Sequence, residues 1–308
     1  MNGMGLELTI AAVVFTVILL LTMRLSAREG RGGTPGTGTA TPPRVQMTEA
    51  EVDAGIARLG ERIEALTRPG LKGHATGPAA TPRTSRIGGP ILWPVGRDMP
   101  KGLPHMRCLA HIDLAELPPL SPLPREGVLQ VFIEIDDVWG CHFPSTQYEG
   151  FLIVLHRDVT DWSEVAPLKV ADESMGMPID LADPPEHGLA LRWEVAEIPP
   201  PDFDYRLRDV QFPYRLESHV YRRLEAEVYE PLQDRRGRYD VLLLGHAGFT
   251  QDDFRRPDRY ADHENLIGFS SSGGAFMWGD VGEATIMIPA EDMAGMRLDR
   301  AIYSWDCS

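Results

Sequence analysis

The chain has 308 residues, of which 43% are hydrophobic and 24% charged, a composition that excludes a wholly disordered protein, a collagen-like protein and a transporter with many membrane spans. Its formal net charge of -15 excludes nucleic acid as an expected partner, because phosphate groups would repel the chain. Three cysteines are too few for a disulfide framework, which indicates a reducing compartment.

The first 28 residues predict a transmembrane anchor. Residues 8–23 carry no charge and, with their flanks, approach the roughly 20 apolar residues that a spanning helix needs. Positive charges follow this run at Arg24, Arg28 and Arg31, whereas a cleaved signal peptide would have them in front. By the positive-inside rule the C-terminal part stays in the cytoplasm. We therefore expect a single-pass protein of the inner (cytoplasmic) membrane, held there by its N-terminal helix.

Residues 29–47 are rich in Gly, Thr and Pro and predict a flexible linker. Residues 48–84 are expected to form an amphipathic helix and a second loose stretch, from residue 72 to residue 84. Thr48 and Glu51 match a capping box at the helix start. One apolar face follows at helical spacing, formed by Val52, Ile56, Leu59, Ile63 and Leu66. This helix could be a stalk, a dimerisation element or the first helix of the domain, and the sequence leaves these alternatives open.

From residue 85 onward, short apolar runs separated by Pro, Gly and Asp predict strands. Residues 128–135 alternate between apolar and other positions, as in a half-buried strand. Other strands are expected at residues 151–155, 190–195, 241–244, 266–269, 284–288 and 302–305, with helices at 216–229 and within 289–296. Because few long helices alternate with these strands, the predicted fold class is α+β, β-rich, with a mostly antiparallel sheet.

Six fragments occur in order along residues 85–308: SRIGGP followed by WP (85–94), LAHIDL (109–114), LPREGVLQVF (123–132), LGH and FTQDD (244–253), MWGDVG (277–282) and YSWDC (303–307). In these fragments the chain resembles the YwqG-like family of bacterial proteins, a domain of unknown function numbered 1963. The resemblance implies a compact α+β domain over residues 85–308. It implies no established reaction.

Several residue clusters are candidate sites of metal binding or catalysis. His105, Cys108 and His111 are three residues apart, which would gather zinc ligands on a helix, but the segment is strand-like and lacks a fourth ligand. Cys141 and His142 have no catalytic sequence frame around them. The arginines of residues 206–238 alternate with acids, so surface ion pairs such as Arg223 with Glu227 are expected instead of a nucleic-acid surface. No pattern predicts a cofactor, a metal or a recognisable enzyme.

Two further regions offer candidate site residues. The densest set of imidazole and carboxyl groups consists of His246, Asp252, Asp253, His263 and Glu264, which suits acid–base chemistry but is also typical of an exposed loop. The sequence Trp278-Gly279-Asp280-x-Gly282 predicts either a locked turn with a buried tryptophan or the wall of a binding pocket. The predicted binding pocket consists of Trp278, Asp280 and His246.

These observations favour a membrane-anchored, cytoplasm-facing module of unknown biochemical activity that binds or regulates a protein partner, since an acidic surface can steer a basic protein towards it. The alternative is an uncharacterised, hydrolase-like enzyme that uses the histidine and carboxylate cluster. Convergence of His246, His263 and Asp252 or Asp280 in one cleft would favour the enzyme. The sequence leaves the oligomeric state open.

Overall fold

The computed structural model describes residues 44–166, 176–179, 185–213 and 215–308. The predicted anchor at residues 1–28 and most of the predicted linker lie outside these residues. Within the described part of the chain, no helix combines the length and apolar character that crossing a membrane would require.

The described residues form four α-helices: α1 (Glu49–Leu66), α2 (Ser218–Leu224), α3 (Glu230–Arg236) and α4 (Ala290–Met293). A π-helical turn at Glu225–Tyr229 joins α2 to α3. The predicted capping box starts α1, because Thr48 accepts a hydrogen bond from the Glu51 amide and Glu51 accepts one from the Thr48 amide at 2.8 Å.

The described residues form thirteen strands: β1 (Arg68–Pro78), β2 (Arg86–Ile87), β3 (Ile91–Pro94), β4 (Met106–Asp113), β5 (Val128–Glu134), β6 (Ser145–Thr146), β7 (Phe151–His156), β8 (Trp162–Val165), β9 (Leu189–Ile198), β10 (Val241–Leu244), β11 (His263–Ser270), β12 (Glu283–Pro289) and β13 (Ile302–Asp306). Eleven of them make one sheet in the order β6-β13-β12-β11-β10-β1-β9-β2-β4-β5-β7, and β3 pairs with β8 in a second sheet. All pairs of named strands are antiparallel, which confirms the predicted strand-rich, antiparallel architecture.

The expectation of a loose stretch from residue 72 was wrong, because β1 runs to Pro78 and lies in the middle of the large sheet between β9 and β10. The glycines of β1 interrupt the alternating pattern by which a strand is predicted from sequence, but they leave room for side chains of the adjacent strands. A Cβ added to Gly73 would lie 2.7 Å from the Trp193 ring. The helix α1 packs its predicted apolar face on α2 and α3, so it belongs to the domain; the buried residues there are Val52, Leu59, Ile63, Val220, Leu224 and Leu232.

The large sheet curves until its two ends nearly meet. Gln147 fills the gap between them: its side chain accepts a hydrogen bond from the Ile153 amide at 3.0 Å and donates to the carbonyls of Ile153 at 2.8 Å and Leu298 at 3.1 Å. The rings of Phe151 and Tyr303 meet across the same gap, 5.3 Å apart. The nearly closed sheet surrounds the main core.

The second sheet, β3 with β8, covers the outer face of β4, β5 and β7. It packs through Ile91 and Trp93 on Phe132 and Leu152, all of which are buried. The prediction that residues 128–135 are half-buried was therefore wrong, since β5 is buried on both faces and even Gln130 is fully enclosed. Alternation in the sequence shows one apolar face, but it does not show what covers the other.

Candidate functional site

The predicted cluster from His246 to Glu264 meets arginines from distant segments in a set that we call the ion-pair cluster: Arg68, Asp204, Arg206, His246, Arg255 and Glu264. Arg206 donates to Asp204 at 2.7 Å and to Glu264 at 3.1 Å. Arg255 donates to Asp204 at 3.2 Å, and Arg68 pairs with Glu264. Each carboxylate of the cluster is thus held by at least two arginines, which fixes three separate segments of the chain to one another.

Burial and the arginines set the pKa values in the ion-pair cluster. Burial alone would raise the pKa of Asp204, but hydrogen bonds from Arg206 and the positive charges of Arg255 and Arg206 lower it. Burial lowers the pKa of His246 to about 4, so its ring is neutral at pH 7. Nδ1 accepts from Arg206 at 2.8 Å and Nε2 donates to the Leu66 carbonyl at 2.6 Å. Because both ring nitrogens hold the fold together, His246 serves a structural purpose here.

The other acidic residues of the predicted catalytic region also pair with arginines. Asp252 accepts from Arg208 at 2.9 Å and from Arg256 at 3.0 Å. Asp253 accepts from Arg255 at 2.7 Å. The ring of His263 turns instead to Asp262, at 2.9 Å, away from the ion-pair cluster. These arginines, which sequence patterns leave unassigned, explain why the region is so acidic.

The three residues at zinc-ligand spacing do not come together at one site. His105 is exposed before β4, whereas Cys108 is buried with its Sγ 3.7 Å from the Arg86 guanidinium. His111 lies further along β4 and is buried among other partners. Across the described segments, no group of three His, Cys, Asp or Glu side chains is arranged to hold a metal ion.

His111 belongs to a buried chain of hydrogen bonds, His111–Gln130–His156, that we call the histidine relay. The Gln130 amide donates to His111 Nδ1 at 3.0 Å and accepts from His156 Nε2 at 2.9 Å. It also donates to the Leu92 carbonyl of β3 at 3.0 Å, which ties the small sheet to the large one. Burial lowers the pKa of His111 to about 3 and that of His156 to about 4. Neutral rings are what this arrangement requires.

The residues of the predicted pocket lie in different surroundings. Trp278 is fully buried in the main core, 5.4 Å from Trp139 in a T-shaped contact. Asp280 is exposed, and its carbonyl accepts from the Ser308 amide at 3.2 Å. His246 lies in the ion-pair cluster. Gly279 allows the tight turn between Trp278 and Asp280, because a Cβ added to it would lie only 2.6 Å from Cys307 Sγ.

Three exposed apolar side chains and two half-buried tryptophans lie on the segments that meet where β12 begins and β13 ends. We call this surface the aromatic patch: Trp139, Phe143, Met277, Val281 and Trp305. The Trp305 ring lies 4.9 Å from Trp139 and 5.8 Å from Phe143. Phe143 is 54% exposed, Val281 44% and Met277 39%. Clustered exposed apolar side chains of this kind are typical of a contact surface.

The aromatic patch rests on backbone that side chains normally avoid. Trp139, Phe143 and Val281 have φ angles of 48°, 53° and 59°. In this left-handed region glycine is favoured, and a β-branched residue such as valine is a clear outlier. Backbone strain of this kind concentrates at functional sites, where the surrounding structure holds the residue in place.

Comparison with known proteins agrees with the resemblance seen in the sequence. The family model for a domain of unknown function, DUF1963, matches residues 85–307. The chain belongs to this family. A search of the curated proteins finds no match. Helix α1 and strand β1 precede the matched residues, yet β1 occupies the middle of the large sheet of the DUF1963 domain.

Three of the six fragments that carry the family resemblance, residues 244–253, 277–282 and 303–307, meet beside the aromatic patch. The amides of Thr250 and Gln251 donate to the Asp306 carboxylate at 2.9 Å and 2.8 Å. Gly279 and its turn lie against Trp305 and Cys307. Trp139 and Phe143 lie outside these fragments. Their only signal in the sequence is that they are aromatic residues beside Gly and Pro in an acidic segment.

Two carboxyl groups with raised pKa values lie on the opposite face of the same strands of the DUF1963 domain. Glu283 accepts from Ser270 at 2.8 Å and from the Tyr239 hydroxyl at 3.3 Å, and burial raises its pKa to about 7. Although part of Glu283 reaches solvent, these partners enclose its carboxyl group. Burial raises the pKa of Asp306 to about 6. Such shifts are concentrated at functional sites.

Proposed function

We propose that the DUF1963 domain of this protein is a protein-binding module that docks a basic polypeptide segment with apolar anchors on the aromatic patch. The observation that carries this proposal is the set of exposed apolar side chains, two of them on left-handed backbone, at the place where three of the family fragments meet. Aromatic side chains that combine large contact area with few rotamers are typical anchors of protein interfaces.

The strain at Val281 supports a purpose outside folding. A non-glycine residue in this region of φ costs about 1–3 kcal/mol, and Val281 recovers little by burial because it is 44% exposed. Glycine at this position would remove the strain. An exposed valine on strained backbone is explained if a binding partner covers its side chain.

Charge complementarity identifies the kind of partner. The segments that form the aromatic patch, residues 136–149, 277–282 and 303–308, contain five carboxylates and no lysine or arginine. Four of them are Asp136, Asp137, Glu149 and Asp280, and the fifth is Asp306, whose carboxyl group lies on the opposite face of the strands. An acidic rim around an apolar centre favours a segment that bears lysine or arginine beside its apolar residues, and it steers such a segment during encounter.

We further propose that the domain works at the inner membrane, on its cytoplasmic side. The support for this part is the sequence: the uncharged run at residues 8–23 and the arginines that follow it. A cytoplasmic reporter fused after Ser308 should be active, and a reporter that matures only in the periplasm should be silent. Periplasmic activity would contradict the proposed orientation.

The hydrolase-like alternative has less support. Both ring nitrogens of His246 are occupied, and Asp252 and Glu264 are paired with arginines. A general base needs a free lone pair within reach of a substrate. The histidine and carboxylate residues that suggested an enzyme are therefore better explained as structural ion pairs.

The binding proposal is tested with fluorescent twelve-residue peptides of defined composition. A peptide of Lys, Leu and Tyr should bind the purified domain, and its affinity should fall when salt is added. It should also outcompete a matched peptide in which Glu replaces Lys. Val281→Gly should weaken binding while raising the melting temperature, since it relieves strain and removes contact area. Val95→Gly is the control, because Val95 is 60% exposed and lies outside the aromatic patch. Equal binding by parent and Val281→Gly, or no preference for the basic peptide, would contradict the proposal.

A further inference from the structure

We propose that a proton on Glu283 controls the aromatic patch, so that uptake of this proton favours the binding-competent arrangement. This inference rests on the proposed function, because the site that it regulates is the aromatic patch. The regulating group, Glu283, lies on the face of β12 opposite the aromatic patch, so a polypeptide docked on the patch does not touch it.

Five parts of the chain surround the Glu283 carboxyl group. Ser270 of β11 donates to it at 2.8 Å, and the Tyr239 hydroxyl donates at 3.3 Å. The backbone of Gly248 lies directly against it, since an added Cβ at that position would overlap the carboxyl oxygens. The charged groups that face it are Arg236 of α3 and Asp306 of β13. One attracts the ionised form and the other repels it.

Asp306 holds the same loop from the other side. Its carboxylate accepts from the amides of Thr250 and Gln251, while Glu283 meets the loop at Gly248. Glu283 and Asp306 are also direct partners in the register of β12 with β13. The loop from residue 245 to residue 252 is therefore clamped between two acids, and its packing depends on how many negative charges they carry.

Both acids are joined to the aromatic patch through the chain. Asp306 follows Trp305 directly, and Glu283 follows the turn that carries Val281. Within that turn Gly282 packs against the Asp306 carbonyl and donates its amide to the Trp278 carbonyl at 2.7 Å. A change in the packing of Glu283 is transmitted to the strained Val281 over two residues.

The sign of the effect follows from burial. Burial and the Asp306 charge favour the neutral form of Glu283, and Arg236 offsets them only in part, which leaves its pKa at about 7. Below this pH the enclosed carboxyl group is neutral and the loop packs closely. Above it the group ionises beside Asp306, so the clamp loosens. Because linkage is reciprocal, a partner that prefers the closely packed form binds more tightly when Glu283 is protonated.

Two measurements on the purified chain separate this inference from the proposed function. Hydrogen exchange of the amides from residue 248 to residue 252, corrected for intrinsic rates, should accelerate about tenfold between pH 6 and pH 8, as expected for one pKa unit of coupling. Glu283→Gln should remove this dependence, because the amide cannot ionise. Glu126→Gln, at an exposed glutamate of a distant loop, is the control and should behave like the parent.

The second measurement repeats the titration with the Lys, Leu and Tyr peptide. Parent affinity should fall about tenfold from pH 6 to pH 8, whereas Glu283→Gln should keep the affinity of pH 6 throughout. If exchange of the loop is equally pH-dependent in parent and Glu283→Gln, the inference is overturned whether or not any peptide binds. If the exchange result holds and no peptide binds at any pH, the proposed function fails and with it the link to the aromatic patch.

Discussion

The histidine relay predicts how the stability of this domain responds to acid. His111 and His156 are almost fully buried and neutral in the folded state, with pKa values of about 3 and about 4. In the unfolded chain both rings return to ordinary values near 6.5. Between these pKa values the unfolded state therefore binds protons at both rings, whereas the folded state does not. The stabilisation is fully present above pH 6.5 and is lost as the pH falls towards 4.

Each neutral buried ring changes the free energy of unfolding by about 1.4 kcal/mol per pH unit within this window. For His156 the loss between pH 6.5 and pH 4.5 is about 2–3 kcal/mol. Glu283 and Asp306 have raised pKa values and act in the opposite direction over part of the same range. The total slope is thus a sum over several groups, and a comparison of variants isolates one of them.

His156→Gln is the informative variant, because a glutamine amide can still donate to Gln130 but cannot take up a proton. Urea unfolding of parent and variant is measured at pH 6.5, 5.5 and 4.5. Between pH 6.5 and pH 4.5 the free energy of unfolding should fall by about 2 kcal/mol less in the variant than in the parent. His105→Gln, at an exposed position, controls for the exchange of residue type. If His156→Gln loses as much stability as the parent, the buried neutral ring is not the source of the acid sensitivity.

Three further changes test the fold. Gln147→Leu should lower the free energy of unfolding by about 2–4 kcal/mol in urea titrations, because it leaves the amide and carbonyl of Ile153 without their partners. Arg255→Leu should cost about 3–5 kcal/mol by the same assay, since the Asp204 carboxylate stays buried with one cation fewer. Tyr303→Ala should lower the melting temperature more than Trp305→Ala, because Tyr303 is fully buried and Trp305 only half-buried.

Local patterns in the sequence determined a large part of this structure. The capping box of α1 and its apolar face are interactions within a few residues of chain, so they are visible before any tertiary contact is known. The strand at residues 241–244 matches β10 at both ends, and the strand at 302–305 is one residue shorter than β13. Apolar runs bounded by turn residues predict such strands because each strand buries its own side chains.

Long-range contacts decided the rest. Strand β1 carries glycines that no pattern marks as sheet, and it is a strand because β9 and β10 pair with it on either side. Gln130 is a polar residue in a strand, and only the cover of β3 makes it the centre of a buried relay. His246 looks like a candidate base until Arg206 and the Leu66 carbonyl occupy its ring. Partners separated by 40 to 180 residues cannot be read from local spacing, because the energy that selects them is a property of the closed fold.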